Sequence, residues 1–332
     1  MQNTKKKILH SVFFLLIPLF FFAQEAPKLT FLQPADSLNK KRFWLAAASG
    51  ATVYTATVIG LNEIWYSDFP RSEFHLFNDS GEWEDMDKIG HSYTTYFESR
   101  WSFQAACWTG MPRRKAMWLG AGLGMMCQMT IEVFDGFSEK WGFSTHDVGF
   151  NTLGALTFVG QELAWKEQRI SLKFSSVPKS YPNFLITSQD GQNTTTLSAR
   201  ADNLYGKSFA ERVLKDYNSQ TYWASVNVAS FIRHDNNKFP KWLNIAVGYG
   251  AENMFGGFEN NWITEGDHQF VLDDDLYPRY RQFFLSPDID FTKIKTDRPF
   301  LKTLFFLLNT LKVPAPAMEV NTLGKVKLHW LK

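Results

Sequence analysis

Six side chains carry the chemistry this chain can offer, and they come in three pairs. Asp87 and His91 stand four residues apart, Glu132 and Asp135 three apart, and Asp147 and Asn151 four apart. On a helix, residues three or four apart share a face, so each pair projects together. A carboxylate set against an imidazole suits general acid–base work, in which His91 takes or gives the proton and Asp87 fixes its tautomer. The same mixture of oxygen and imidazole ligands suits a divalent cation, with the Glu132–Asp135 pair as an electrostatic or metal-binding element. The residue types do not choose between these roles and name no cofactor. Simpler roles compete. Ser144 and Asp147 have the spacing of an N-cap and its third residue. Asp87 in a first turn is favoured by the helix dipole. Glu132 and Asp135 could be solvated at a helix end, and His91 and Asn151 could each bond a core carbonyl. Tyr93, Tyr96 and Glu98 read as packing or rim residues.

Three helical stretches must position these pairs: Met86 to about Thr109, Lys115 to about Phe134, and Asp147 to about Lys166. Met111-Pro112-Arg113-Arg114 breaks the first from the second, and Gly136 to Ser144 the second from the third. Consecutive helices joined by short connections run antiparallel, which brings the start of the first, the end of the second and the start of the third to one end. Ahead of them, Phe43 to Ile59 carries no charge, and counted to Leu61 it is just long enough to span a bilayer. A four-helix bundle seated in or on a membrane is therefore expected. The second of the three stretches is rich in Gly and Met, which a membrane tolerates. Glu98 and Arg100 within the first suit lipid poorly.

Beyond Lys166 the texture changes. Ile170 to Ser175 and Leu243 to Gly250 alternate with period two, and Phe284 to Phe291 and Val326 to Leu331 do so more weakly, so they read as strands. A helix is expected at Ser208 to Tyr217. Phe300 to Val313 is apolar but short, which fits an interfacial or buried helix stopped by Pro314-Ala315-Pro316. Five or six strands fall short of the eight a closed outer-membrane barrel needs. The fold class is α+β: an N-terminal four-helix membrane-associated bundle over 43–166, then a mixed strand and helix region over 167–332.

The N-terminus has the layout of a secretory signal. Lys5, Lys6 and Lys7 precede an apolar run from Ile8 to Phe22, and Ala23-Gln24 offers a cleavage point. Residues 1–23 are read as that signal and 24–42 as a linker, with no Cys after the apolar run to carry a lipid. The formal charge is +2, and losing three lysines with the leader takes it to −1. A near-neutral chain without a basic block argues against nucleic acid as a partner. Cys107 and Cys127 lie in apolar segments and read as buried free thiols, without metal-site spacing. The 31 Phe, 12 Trp and 11 Tyr suit contact with lipid or its interface. The location expected is outside the cytoplasm and membrane-associated. A lipid-linked or cell-wall-related molecule is the ligand class, and another envelope protein a candidate partner.

Asp87-Lys88-Ile89-Gly90-His91, then Glu132 and Asp135, then Gly142-Phe143-Ser144 with Asp147, Asn151 and Gly154 resemble the YfiM-like family of predicted periplasmic lipoproteins. More distantly, the order is similar to that of VanZ-like membrane proteins. Over about residues 43–166 the resemblance implies an envelope location and a helical bundle whose polar residues meet at one end. It implies no activity.

Overall fold

The computed structural model describes residues 33–67, 69–232, 239–264 and 266–332. The leader and residues 24–32 of the linker lie outside them. Helix α1 (Lys40–Leu61) begins where the Asn39 side chain accepts the Arg42 N–H, and runs into a π-helical turn at Asn62–Tyr66. None of its residues is buried, and of the described helices only this one is long and apolar enough to cross a membrane.

The bundle expected to have four helices has three. Helices α2 (Met86–Trp108), α3 (Arg113–Gly136) and α4 (Thr145–Trp165) pack around Tyr96, Phe103, Met117, Phe158 and Val159. Helix α1 touches this core from outside through polar atoms, with the Tyr54 hydroxyl against Thr130 (2.7 Å) and the Arg42 guanidinium on the Trp108 carbonyl (3.1 Å). The physical reason is that its apolar side chains surround it evenly and face outward, so it has no stripe to give to a core. Two glycines set the close packing of the rest. A Cβ at Gly124 would collide with Ser99, and one at Gly154 with the Ser92 carbonyl. Glycine on α3 is thus used for contact with the α2 backbone.

The C-terminal half is richer in strands than its sequence suggests. Strands β1 (Ile170–Ser176), β2 (Leu185–Thr187) and β3 (Thr194–Thr196) lead to helices α5 (Leu197–Tyr205) and α6 (Phe209–Lys215). Next come β4 (Gln220–Asn227), β5 (Leu243–Glu252), β6 (Asn261–Ile263), β7 (Gln269–Val271) and β8 (Tyr280–Ile289). Helix α7 (Pro299–Leu308), β9 (Ala317–Asn321) and β10 (Val326–His329) complete the chain. Helix α7 stops five residues before Val313, because the chain turns there to pair with β1. Cys107 and Cys127 are free thiols, as expected, but each is half-buried rather than buried.

The main sheet is antiparallel throughout, in the order β1-β4-β5-β8-β9-β10. Its two edges meet through the segment after α7. The Phe174 N–H donates to the Thr310 carbonyl and Lys312 N–H to Phe174, while the Lys332 N–H donates to Ala315. The polarity of this rolled sheet is reversed. Ser225, Asn227, Asn244, Gln282, Ser286, Asp288 and Glu319 point inward and are buried. Ile245, Val247, Phe283, Leu285, Met318 and Val320 point outward, each more than two-fifths exposed. Inside, Lys173 Nζ pairs with Asp288 at 2.8 Å and Ser225 donates to the same carboxylate at 2.6 Å. Helix α2 covers part of the outer face, where Tyr93 meets Phe174 and Tyr222 at ring distances of 5.9 and 5.7 Å.

Candidate metal and acid–base site

Helix α2 begins after an unusual turn. Trp83, Glu84 and Asp85 all have positive φ, between 51° and 62°, a conformation that side chains with a Cβ disfavour. The strand region holds the turn in place. Arg279 bonds Glu84 and the carbonyls of Gly256 and Gly257, Arg281 bonds Glu84 and Asp85, and the Tyr249 hydroxyl donates to the Glu84 carbonyl. This clamp fixes where α2 starts, and so where Asp87 and His91 stand.

His91 is the hub. Its Nδ1 lies 3.1 Å from Asn151 Oδ1 and 3.5 Å from Glu132 Oε1. An amide oxygen only accepts, so with Asn151 Oδ1 facing it His91 Nδ1 carries the proton in this arrangement. That leaves Nε2 to face Asp87 Oδ2 at 3.8 Å and Asp147 Oδ2 at 3.9 Å. These separations are too long for hydrogen bonds. One ligand atom from each of Asp87, His91 and Asp147 lies within 4.8 Å of the others, a spacing a single cation can bridge.

Around this triad the charge is lopsided. Asp79, Asp87, Glu132, Asp135 and Asp147 meet one permanent cation, the buried Lys88, which sits 2.6 Å from Asp79 and 3.4 Å from Asp147. Glu132 Oε1, Asp147 Oδ1 and Asn151 Nδ2 are buried and make no hydrogen bond. Burial pushes the Glu132 carboxyl up to about 8, with Asp147 and Asp135 adding repulsion and His91 opposing. Burial and then Asp87 push Asp147 up to about 9, and burial raises Asp135 to about 7 against the Tyr66 hydroxyl, which donates to it at 2.7 Å. Burying carboxylates is costly even though Glu132 accepts a long bond from the Ser144 N–H (3.4 Å) and Asp147 faces Lys88, and a bound cation would relieve the remaining cost.

The six residues singled out in the sequence therefore share one end of the bundle, with different closeness. Asp87, Glu132, Asp147 and Asn151 each lie within 4 Å of His91. Asp135 instead joins through Tyr66. Asp147 combines two roles: its N–H is capped by Ser144 Oγ at 3.0 Å, while its carboxylate turns to Lys88 and His91. Sequence reasoning missed Asp79, Lys88, Tyr66 and Tyr217, whose hydroxyl donates to Asp87 at 2.5 Å. Of these only Lys88 falls within the sequence motif, between Asp87 and Ile89, where its type alone assigns it no role.

No curated protein and no solved structure matches the chain significantly. A family model described as "Predicted periplasmic lipoprotein (DUF2279)" does match, over residues 75–160, and this stretch holds Asp79, Lys88 and all six residues of the three pairs. The description agrees with an exported, membrane-associated chain, and it bears on neither the YfiM-like nor the VanZ-like resemblance, both of which rest on residue order alone.

Proposed function

We propose that the chain is an envelope protein whose Asp87, His91 and Asp147 hold a divalent cation, and that it binds or processes a lipid-linked or cell-wall-related molecule there. The observation that carries this reading is the orientation of His91. Its Nδ1 side is occupied by Asn151, and its Nε2 side faces two carboxylates beyond hydrogen-bond reach. Metal-ligating histidines characteristically donate their second N–H to an outer partner in this way. Three protein ligands leave positions for a substrate oxygen or a water, and a cation there would polarise a phosphoryl or carbonyl group. Glu132 and Asp135 would supply surrounding negative charge, and Lys88 would hold Asp147 in place. The purified full chain, offered zinc, manganese and magnesium, should retain near-stoichiometric metal. His91→Ala and Asp147→Asn should lose it with unchanged helical circular dichroism. Metal content indistinguishable between parent and variants, together with an unchanged envelope-stress phenotype, would sink the reading.

A second reading treats the cluster as structure, in an assembly factor without catalysis. The Ser144 cap on Asp147 and the Lys88 bridge between Asp79 and Asp147 favour it. Absence of bound metal with reproducible co-purification of one envelope protein would select it.

A further inference from the structure

The far end of the same bundle holds a cavity of opposite character. It occupies about 530 Å³ between the end of α2, the start of α3, the end of α4 and the segment running into α7. Arg100, Arg113, Lys166, Lys293, Lys295 and Lys302 line it against only Glu162 and Glu167, an excess of four positive charges. Both carboxylates are already engaged, Glu162 by Arg113 at 2.5 Å and Glu167 by Lys293. Among the described residues Arg100, Lys166, Lys295 and Lys302 have no carboxylate partner.

Arg100 is the telling one. It is 8% exposed, and its guanidinium donates a long hydrogen bond of 3.4 Å to Ser171 Oγ and interacts with the Tyr96 hydroxyl. It lies over the Tyr96 and Phe306 rings at 6.0 and 5.4 Å, with no carboxylate paired to it among the described residues. A guanidinium has five N–H donors and is costly to bury without an anion. The planar fork left over matches a phosphate in particular. The apolar side of the cavity comes from Phe103, Phe291, Phe305 and Phe306. It continues onto the outer surface of α7 and its end, where Phe300 is 72% and Leu311 48% exposed.

We infer that this cavity binds a phosphate ester, with Arg100 at the phosphate, Lys295 and Lys302 around it, and α7 receiving an apolar tail where the ester carries one. The site is separate from the acidic end and does not depend on the reading given to it. The shared chemistry is the phosphate, and its carrier is either an anionic lipid or a water-soluble ester.

The full chain in neutral detergent would be titrated with dihexanoyl-phosphatidylglycerol, dihexanoyl-phosphatidylcholine and glycerol 3-phosphate, followed by calorimetry. The expected result is at least about tenfold tighter binding of an anionic probe than of the zwitterionic lipid, reduced about tenfold in Lys295→Gln/Lys302→Gln, where two surface charges are lost. Arg100→Lys, which keeps the charge but not the fork, should also weaken it. Binding confined to phosphatidylglycerol assigns a lipid, whereas equal binding of glycerol phosphate assigns a soluble ester. If neither anionic probe outcompetes phosphatidylcholine, or both variants bind like the parent, the site is not a phosphate site. The metal content of Lys295→Gln/Lys302→Gln should equal the parent's, so failure here is distinguishable from failure at the acidic end.

Discussion

The two ends of the three-helix bundle differ in sign and also in how their charge is assembled. At one end four carboxylates, from α2, α3, α4 and the loop before α2, converge on Lys88 and His91, and Asp135 stands beside them on Tyr66. At the other, cations from the same helices meet a loop and helix that arrive from the strand region more than a hundred residues later. The acidic end is crowded and buried, so its charges perturb one another. The basic end is an open cleft in which three lysines remain solvated and one arginine is trapped. Convergent helix ends thus crowd carboxyls closely enough to raise their proton affinity, whereas a cleft between elements leaves room for a larger ligand.

The sharpest way to break the contrast is at its hub. His91→Ala should lower divalent-cation affinity more than about a hundredfold, and Asn151→Ala, which only orients His91, by about ten- to a hundredfold. Equilibrium dialysis against zinc or manganese would read both. Next in size, Arg279→Ala should destabilise the fold by about 3 kcal/mol, because it removes a largely buried partner of Glu84 and two carbonyls and frees the left-handed turn. Urea unfolding followed by circular dichroism would measure it. A loss below about 1 kcal/mol would mean the turn needs no clamp.

The pH dependence sharpens the comparison further. Glu132 and Asp147 hold their protons to about 8 and 9 in the folded chain, well above their ordinary range. Between those limits the native state binds more protons than the unfolded one, so stability must fall as pH rises from about 4.5 toward 8. That decline should appear in the melting temperature of chelator-treated protein. With a divalent cation present, which replaces the protons, it should flatten or reverse. A smaller effect is expected for Ser144→Ala, about 2 kcal/mol from the lost cap on α4 and the lost hydroxyl bond to the buried Asp79 carboxylate, with metal binding changed little.

The helices were legible because their evidence is local. Spacing placed Asp87 with His91 and Asp147 with Asn151, breakers at Pro112 and Gly136 to Ser144 marked the ends, and antiparallel packing did the rest. Tyr66 and Tyr217 were not legible, since each reaches its carboxylate from a distant element and no local pattern announces it. Lys88 hid behind the ordinary solvation of lysines. Strand β4 escaped because Trp223 sits on its otherwise polar face and blurs the period-two pattern. The short strands β2, β3, β6 and β7 have only three residues each, too few to show any period. Helix α1 reads as a fourth bundle member because its uncharged stretch is long enough to span a bilayer beside the other three; it keeps that length and apolarity, but none of its residues is buried against them.

The rolled sheet has a consequence for handling the protein. With its water-loving side chains sequestered and its oily ones on display, its cohesion depends on the medium beside it, which acts as the missing half of its interior. Exchanging mild detergent for plain buffer should loosen β5, β8 and β9 while α2 and α3 stay protected, a difference that amide exchange can follow strand by strand.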